Sequence, residues 1–176
     1  MATNYITDEV KALIGLESEW VEAPDPVERS EIRRHMQAVM DEDPMYWDEA
    51  AAADGPFGGV VAPPLFPLHV LRPAPGGTDP LARAATDPDF DGSVRGMMKG
   101  LKPLPIPLPR VLNGGNQVEI YQLAKPGEKV KVRSKYIDIF QKDGRSGTLV
   151  FLITETLYKN EKDELLLKAI QTRIIR

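Results

Sequence analysis

At 176 residues, 42% hydrophobic and 27% charged, the chain suits one globular domain with an apolar core of its own. A formal charge of −4 without any Lys/Arg cluster excludes a general nucleic-acid binder, and the lack of cysteine excludes disulfides, cysteine-held zinc and thiol nucleophiles. No apolar run reaches the roughly eighteen residues of a membrane span, and Met1 to Tyr5 has no signal-peptide character, so a soluble, cytoplasmic protein is expected.

The first third reads as helices with one extended break. Thr7 suits the N-cap of a short helix running to Leu13 or Ile14, closed by Gly15. Glu19 to Glu22 reads as extended. Asp25-Pro26-Val27-Glu28 has the form of a helix start: Asp25 caps, Pro26 takes the first turn and Glu28 completes a capping box. Val27, Ile32, Met36, Val39 and Met40 then give one apolar face, with Arg33 and Arg34 outside it. Asp41-Glu42-Asp43-Pro44 ends that helix. Glu49 to Ala53 predicts a small-residue helix, stopped by Asp54-Gly55-Pro56. Pro64 to Leu71 reads as a short, very apolar and therefore buried helix, because proline is tolerated at a helix start. Residues 72–110 hold eight of the sixteen prolines and five glycines, which predicts a long loop or flap.

From Gln117 onward the apolar spacing changes to period two. Val118 and Ile120 alternate with Glu119 and Tyr121, and Lys125-Pro126-Gly127 supplies a turn. Val130, Val132, Ser134 and Tyr136 alternate with Lys129, Lys131, Arg133 and Lys135, giving a half-exposed strand with a basic outer face. Asp143-Gly144 signals a hairpin, Gly147 to Tyr158 an apolar strand, and Leu165 to Ile175 a last strand. Four successive antiparallel strands after a helical section predict one α+β domain over residues 1–176, a curved sheet packed on a buried helix.

Particular residues sharpen that layout. Asp41-Glu42-Asp43-Pro44-Met45-Tyr46-Trp47-Asp48 resembles the signature D-x-N-P-L-H-x-D of the MaoC-like dehydratases, which include the (R)-specific enoyl-CoA hydratases. Phe57-Gly58-Gly59-Val60-Val61-Ala62-Pro63-Pro64 resembles that family's F-G-x-P-I-A-H-G segment leading into its central helix. Leu112 to Glu119 and Arg145 to Phe151 are similar to the N-terminal-type subgroup. The segments fall in that order between residues 41 and 151, and the resemblance covers roughly residues 5 to 176.

The resemblance implies a hot-dog fold, an antiparallel curved sheet wrapped on a central apolar helix, with the Pro/Gly-rich insertion added. It implies a hydro-lyase that hydrates 2-enoyl-CoA thioesters or dehydrates 3-hydroxyacyl-CoA, with coenzyme A as part of the substrate and no other cofactor. The family's chemistry pairs an aspartate with a histidine as acid and base. A backbone N–H at the start of the central helix receives the thioester carbonyl. Here Asp41 stands at the aspartate position, Asp43 replaces the asparagine and Tyr46 replaces the histidine. Tyrosine, with an ordinary pKa near 10, is a poor base at neutral pH. Pro64 stands where the helix-start glycine belongs and has no N–H to donate. Losing one such donor costs about 2.7–4 kcal/mol in comparable sites.

The candidate catalytic residues are thus Asp41 and Tyr46, in degenerate positions. The candidate substrate-binding residues are Asp43, Val61, Ala62, Pro63, Pro64, Gly114 and Gly115. Each also has a structural reading. The aspartates suit a helix-ending turn, Tyr46 and Trp47 suit a core or an interface, and the glycine pair suits a turn with positive φ. Arg95, Lys99 and Lys102 either meet CoA phosphates or form a solvated surface. His69 is expected to be buried and hydrogen-bonded and His35 to sit at its helix's polar edge, with no metal site. The resemblance and its two departures together imply a supporting subunit of a heteromeric enoyl-CoA hydratase. Its partner is a second MaoC-like hot-dog chain carrying the Asp/His motif, with no nucleic acid and no membrane involved. A self-sufficient homodimer using Asp41 and Tyr46, a non-catalytic acyl-CoA-binding subunit, and a thioesterase remain open beside it.

Overall fold

A computed structural model describes residues 3–71, 82, 85–88, 100–144 and 147–176. Its elements are helices α1 (Asp8–Lys11), α2 (Arg29–Val39) and α3 (Glu49–Ala53), and strands β1 (Val21–Glu22), β2 (Val111–Ile120), β3 (Lys131–Gly144), β4 (Gly147–Lys159) and β5 (Leu165–Ile175). The five strands form one antiparallel sheet in the order β1-β3-β4-β5-β2. Strand β2, first of the four long strands in the chain, therefore lies at one edge against the last, β5, which leaves its far side unpaired among the described residues.

Alternation sets the two faces of the sheet. On β3, Val132, Ser134 and Tyr136 point inward and are buried, while Lys131, Arg133 and Lys135 point outward. The outward cations close over Trp20, with Arg133 5.0 Å and Lys159 5.3 Å from its ring. The inward face carries two apolar clusters. One joins Ile32 and Met36 of α2 to Phe66, Val132, Tyr158, Leu166 and Leu167. The other joins Val10 and Leu13 to Leu101, Ile106, Tyr136, Leu152 and Ile175. Leu101 and Ile106 are buried, so the C-terminal end of the 72–110 segment is built into the core. Its remainder, with Arg95 and Lys99, lies largely outside the described residues.

The structure differs from the sequence expectations at three helices. Helix α1 keeps its Thr7 cap, but after Lys11 the bonds tighten to i→i−3 (Leu13 to Val10, Ile14 to Lys11), so the turn to Gly15 is not α-helical. Helix α2 begins at Arg29 rather than beside Asp25, with Glu28 as an N-cap that makes no side-chain capping bond. The cause is competition for the backbone of Val27. Its N–H donates to Glu128 and its carbonyl accepts from Gly127, both at 2.8 Å, which keeps Val27 out of a helix and leaves Glu28 extended. At the other end Met40 adopts φ 57° as the left-handed C-cap and is exposed with Val39, so of the expected apolar face Val27, Ile32 and Met36 are buried, Val27 from the segment before the helix.

The third difference is the largest. The buried helix expected over Pro64–Leu71 is absent, and a 3-10 turn, Phe66–Leu68, stands there instead. Phe66 bonds to Pro63, Leu68 to Leu65 and His69 to Phe66, each an i→i−3 bond. Pro67 explains this. It has no N–H for the next turn, its ring would strike the carbonyl of Pro63, and it disfavours α geometry at Phe66. Proline at the start of a helix is tolerated; a second one three residues later is not.

Candidate functional site

The acidic loop forms from its own side chains. Asp41 accepts from the N–H of Asp43 and Asp43 from the N–H of Met45, both at 3.0 Å, while Asp48 caps α3 through Ala50 and Ala51. These bonds fold Pro44–Tyr46 into a single 3-10 turn and bring Asp41, Asp43 and Tyr46 together. Tyr46 is half-buried against the α2 cluster. Burial first, then the charges of Asp41 and Asp43, push its phenol above the ordinary tyrosine value. The very neighbours that the signature supplies make Tyr46 harder to ionise than a free tyrosine. Trp47 beside it is exposed, its indole N–H reaching the Glu42 carbonyl at 3.4 Å.

Val61, Ala62 and Pro63 are buried in the core, and the Ala62 N–H donates to Ala124 at 2.7 Å. Their side chains serve packing within this chain. Pro64 is half-buried and precedes the 3-10 turn, so no helix N-terminus stands there to receive a carbonyl oxygen. Gly114 and Gly115 do not join this group. They lie in β2, where the register slips between Asn113 and Gly115 opposite Arg173 and Thr172, towards the Ile175 end of the sheet. Gly115 has φ +127° there, and a Cβ on Gly114 would meet Thr172 Cγ2 at 2.9 Å. The positive φ expected of the pair thus occurs at Gly115 alone and in a strand bulge rather than a turn, while Gly114 is crowded by Thr172 of β5.

Two features escaped the sequence reading. His69 is exposed rather than buried, because the helix that would have buried it does not form. Its ring lies 5.1 Å from that of His35, which also packs edge-on against Phe66. With Glu31, Arg34 and Ala38 these side chains line a cleft of about 350 Å³. The i, i+4 spacing of Glu31 and His35 on α2 was visible in the sequence, but the partner at position 69 was not. Among the described residues no three His, Cys, Asp or Glu side chains are grouped to hold a metal ion, and no helix is long and apolar enough to cross a membrane. The second feature is a polar strip on the inward face, running from Ser134 and Thr156, 3.0 Å apart, to Gln171 and Arg173.

Comparison with known proteins places this architecture. A family described as "FAS1-like, dehydratase domain region" matches residues 12–169. A UPF0336 protein of Thermobifida fusca is 28% identical over 120 residues, which are 67% of this chain and 66% of that relative, just under two thirds of its length. Among solved structures, a chain of the ChsH1–ChsH2 complex from Mycobacterium tuberculosis is similar with a TM-score of 0.68 at 21% identity, covering 94% of this chain and 90% of that one. A chain of the C-terminally truncated HadBC (3R-hydroxyacyl-ACP dehydratase) complex from the same organism gives 0.60 at 20% identity, covering 92% and 96%. The MaoC-like dehydratase of Rhodospirillum rubrum gives 0.56 at 17%, covering 92% and 91%. The α+β hot-dog fold expected from the sequence is the one these structures share.

Proposed function

The chain belongs to the FAS1-like dehydratase domain region family, and from that membership we propose that it is one subunit of a heteromeric enoyl-CoA hydratase, which in reverse is a 3-hydroxyacyl-CoA dehydratase. It shapes the acyl-CoA site, and a second hot-dog chain supplies the aspartate and histidine that position water and handle the α-carbon proton. The observation that carries this reading is the segment after Ala62. A thioester carbonyl gains negative charge as the reaction proceeds and needs a preorganised donor, yet here Pro64 offers no N–H and the 3-10 turn offers no helix dipole. The loss of the base at Tyr46, whose phenol is pushed up by burial and by Asp41 and Asp43, is a separate deficit. Repairing either would leave the other.

Other observations support a partner. The ChsH1–ChsH2 and HadBC structures are both complexes, and the second is a 3R-hydroxyacyl-ACP dehydratase. Strand β2 lies at an edge of the sheet and bears exposed Leu112 and Ile120, a place for a second sheet to continue this one. Coenzyme A enters as part of the substrate. The long 72–110 segment, together with the missing helix, suits a bulky acyl group of the lipid or steroid kind.

The test is to express the chain alone and together with hot-dog chains encoded beside it, and to assay hydration of 2-enoyl-CoA. Activity is expected only in a complex whose partner carries the Asp/His signature. Full activity from this chain alone refutes the reading in favour of a homodimer using Asp41 and Tyr46. Tight acyl-CoA binding with no turnover in any combination makes it a binding subunit instead.

A further inference from the structure

Arg173 is placed where arginines are rarely left alone. It projects from β5 onto the inward face, opposite Leu152 on one side and Asn113 on the other, and it is half-buried. Its Nε donates to Gln171 Oε1 at 2.8 Å. Its two terminal nitrogens have no partner among the described residues, and no described carboxylate pairs with it. Withdrawal from water lowers the guanidinium from its ordinary value, opposed only by the phenol of Tyr136. A charge held in that way costs stability unless something answers it.

Its neighbours indicate the kind of group that would do so. The inward polar strip is buried at Ser134, Thr154 and Thr156 and opens at Gln171, Arg173 and the exposed Asn113 and Asn116 beside the edge strand. It runs between the two apolar clusters, with Leu166 and Leu167 on one side and Leu152 and Ile175 on the other. The leucines, Ile175 and the threonines are packed within the chain, so a ligand reaches the strip only at its open end, where Gln171, Arg173, Asn113 and Asn116 present polar groups beside the edge strand. A guanidinium with two free terminal nitrogens matches an oxygen acceptor above all, and a carboxylate best.

We propose that Arg173, steadied by Gln171, is a specificity anchor for an oxygen acceptor carried on the acyl part of the thioester, so that oxygenated acyl groups are the preferred substrates. The inference rests on the acyl-CoA reading above and deepens it. Gln171 fixes the guanidinium through Nε and leaves both terminal nitrogens for the ligand. A purely hydrocarbon chain would leave that charge unanswered, which is a penalty for the wrong substrate as much as a reward for the right one.

Calorimetric titration of the chain in complex with its hot-dog partner, using four probes, tests this: dodecanoyl-CoA, its 11-oxo analogue, its ω-carboxy analogue and coenzyme A alone. The oxygenated thioesters are expected to bind roughly tenfold tighter than dodecanoyl-CoA, and Arg173→Met to erase that preference while dodecanoyl-CoA binding persists. Arg173→Lys, which keeps the charge, should retain part of the preference for the carboxylate and serves if the methionine variant does not fold. Equal binding of the three thioesters by the native complex overturns the anchor alone. An equal loss for all four probes in Arg173→Met assigns the residue to the coenzyme's phosphates and overturns it too. If no thioester binds, both the anchor and the acyl-site reading fall.

Discussion

The hydroxyl of Tyr136, in the middle of β3, donates a 2.7 Å hydrogen bond to the carbonyl oxygen of Lys102. That bond ties the last part of the Pro/Gly-rich segment to the sheet at a buried position. Tyr136→Phe removes the donor and leaves a carbonyl short of a partner, at a cost of about 1–3 kcal/mol in chemical denaturation. The same tyrosine gives a pH signature. Burial pushes its pKa from 10.0 up to about 12. A raised pKa means that the folded state favours the protonated phenol. Its contribution is therefore complete below pH 10 and is lost as pH rises towards 12. The phenylalanine variant should be less stable at neutral pH and should lose less than the native chain between those two values.

Tyr46→His restores the residue of the family signature next to Asp41 and Asp43. If the chain is a supporting subunit, the change gains nothing measurable in hydratase activity when the chain is assayed alone. A base without a carbonyl donor leaves the enolate-like charge unstabilised, a deficit of about 2.7–4 kcal/mol or two to three orders of magnitude in rate. Substantial activity in the histidine variant alone would show that a donor other than the Pro64 position serves this chain.

Much of the fold was legible along the chain because the strands answer to local rules. Alternation at Val130–Tyr136 and the Asp143-Gly144 hairpin are period-two and turn signals that tertiary context did not override. The acidic loop was equally readable, since Asp41, Asp43 and Asp48 bond to amides two and three residues away. What was hidden depended on distant partners. Asp25 lost its capping role because residues 127 and 128 hold Val27. Strand β2 starts at Val111 rather than Gln117 because β5 pairs through the glycine bulge, which reads locally as loop. Arg173 drew no notice because only the register of β5 shows which face it takes.

The glycine pair in β2 separates two kinds of constraint. Gly114→Ala places a Cβ 2.9 Å from Thr172 Cγ2 and 3.1 Å from Thr172 O. A backbone atom cannot rotate away, so a loss of about 1–3 kcal/mol is expected, as for overpacking. Gly115→Ala meets nothing within 4 Å, and its whole penalty comes from φ +127°, a region that L residues rarely adopt. Urea titration should find both variants destabilised. Adding Thr172→Ser, which removes the contacting methyl, should rescue part of the Gly114 loss and none of the Gly115 loss.

Ile120 ends the edge strand β2 and is 50% exposed, so within this chain it has little packing to lose. Ile120→Lys should therefore leave the folding free energy of the isolated chain within about 0.5 kcal/mol. If a partner sheet continues across β2, the same substitution puts a strongly hydrated charge into that junction, the device by which edge strands avoid pairing. The variant should fail to co-purify with the partner and should lose hydratase activity in proportion to the missing complex. Adding excess partner should then recover activity along the binding curve, because no catalytic group has been removed. Unchanged capture by the lysine variant would move the junction away from this edge and leave exposed Leu112 and Ile120 without that explanation.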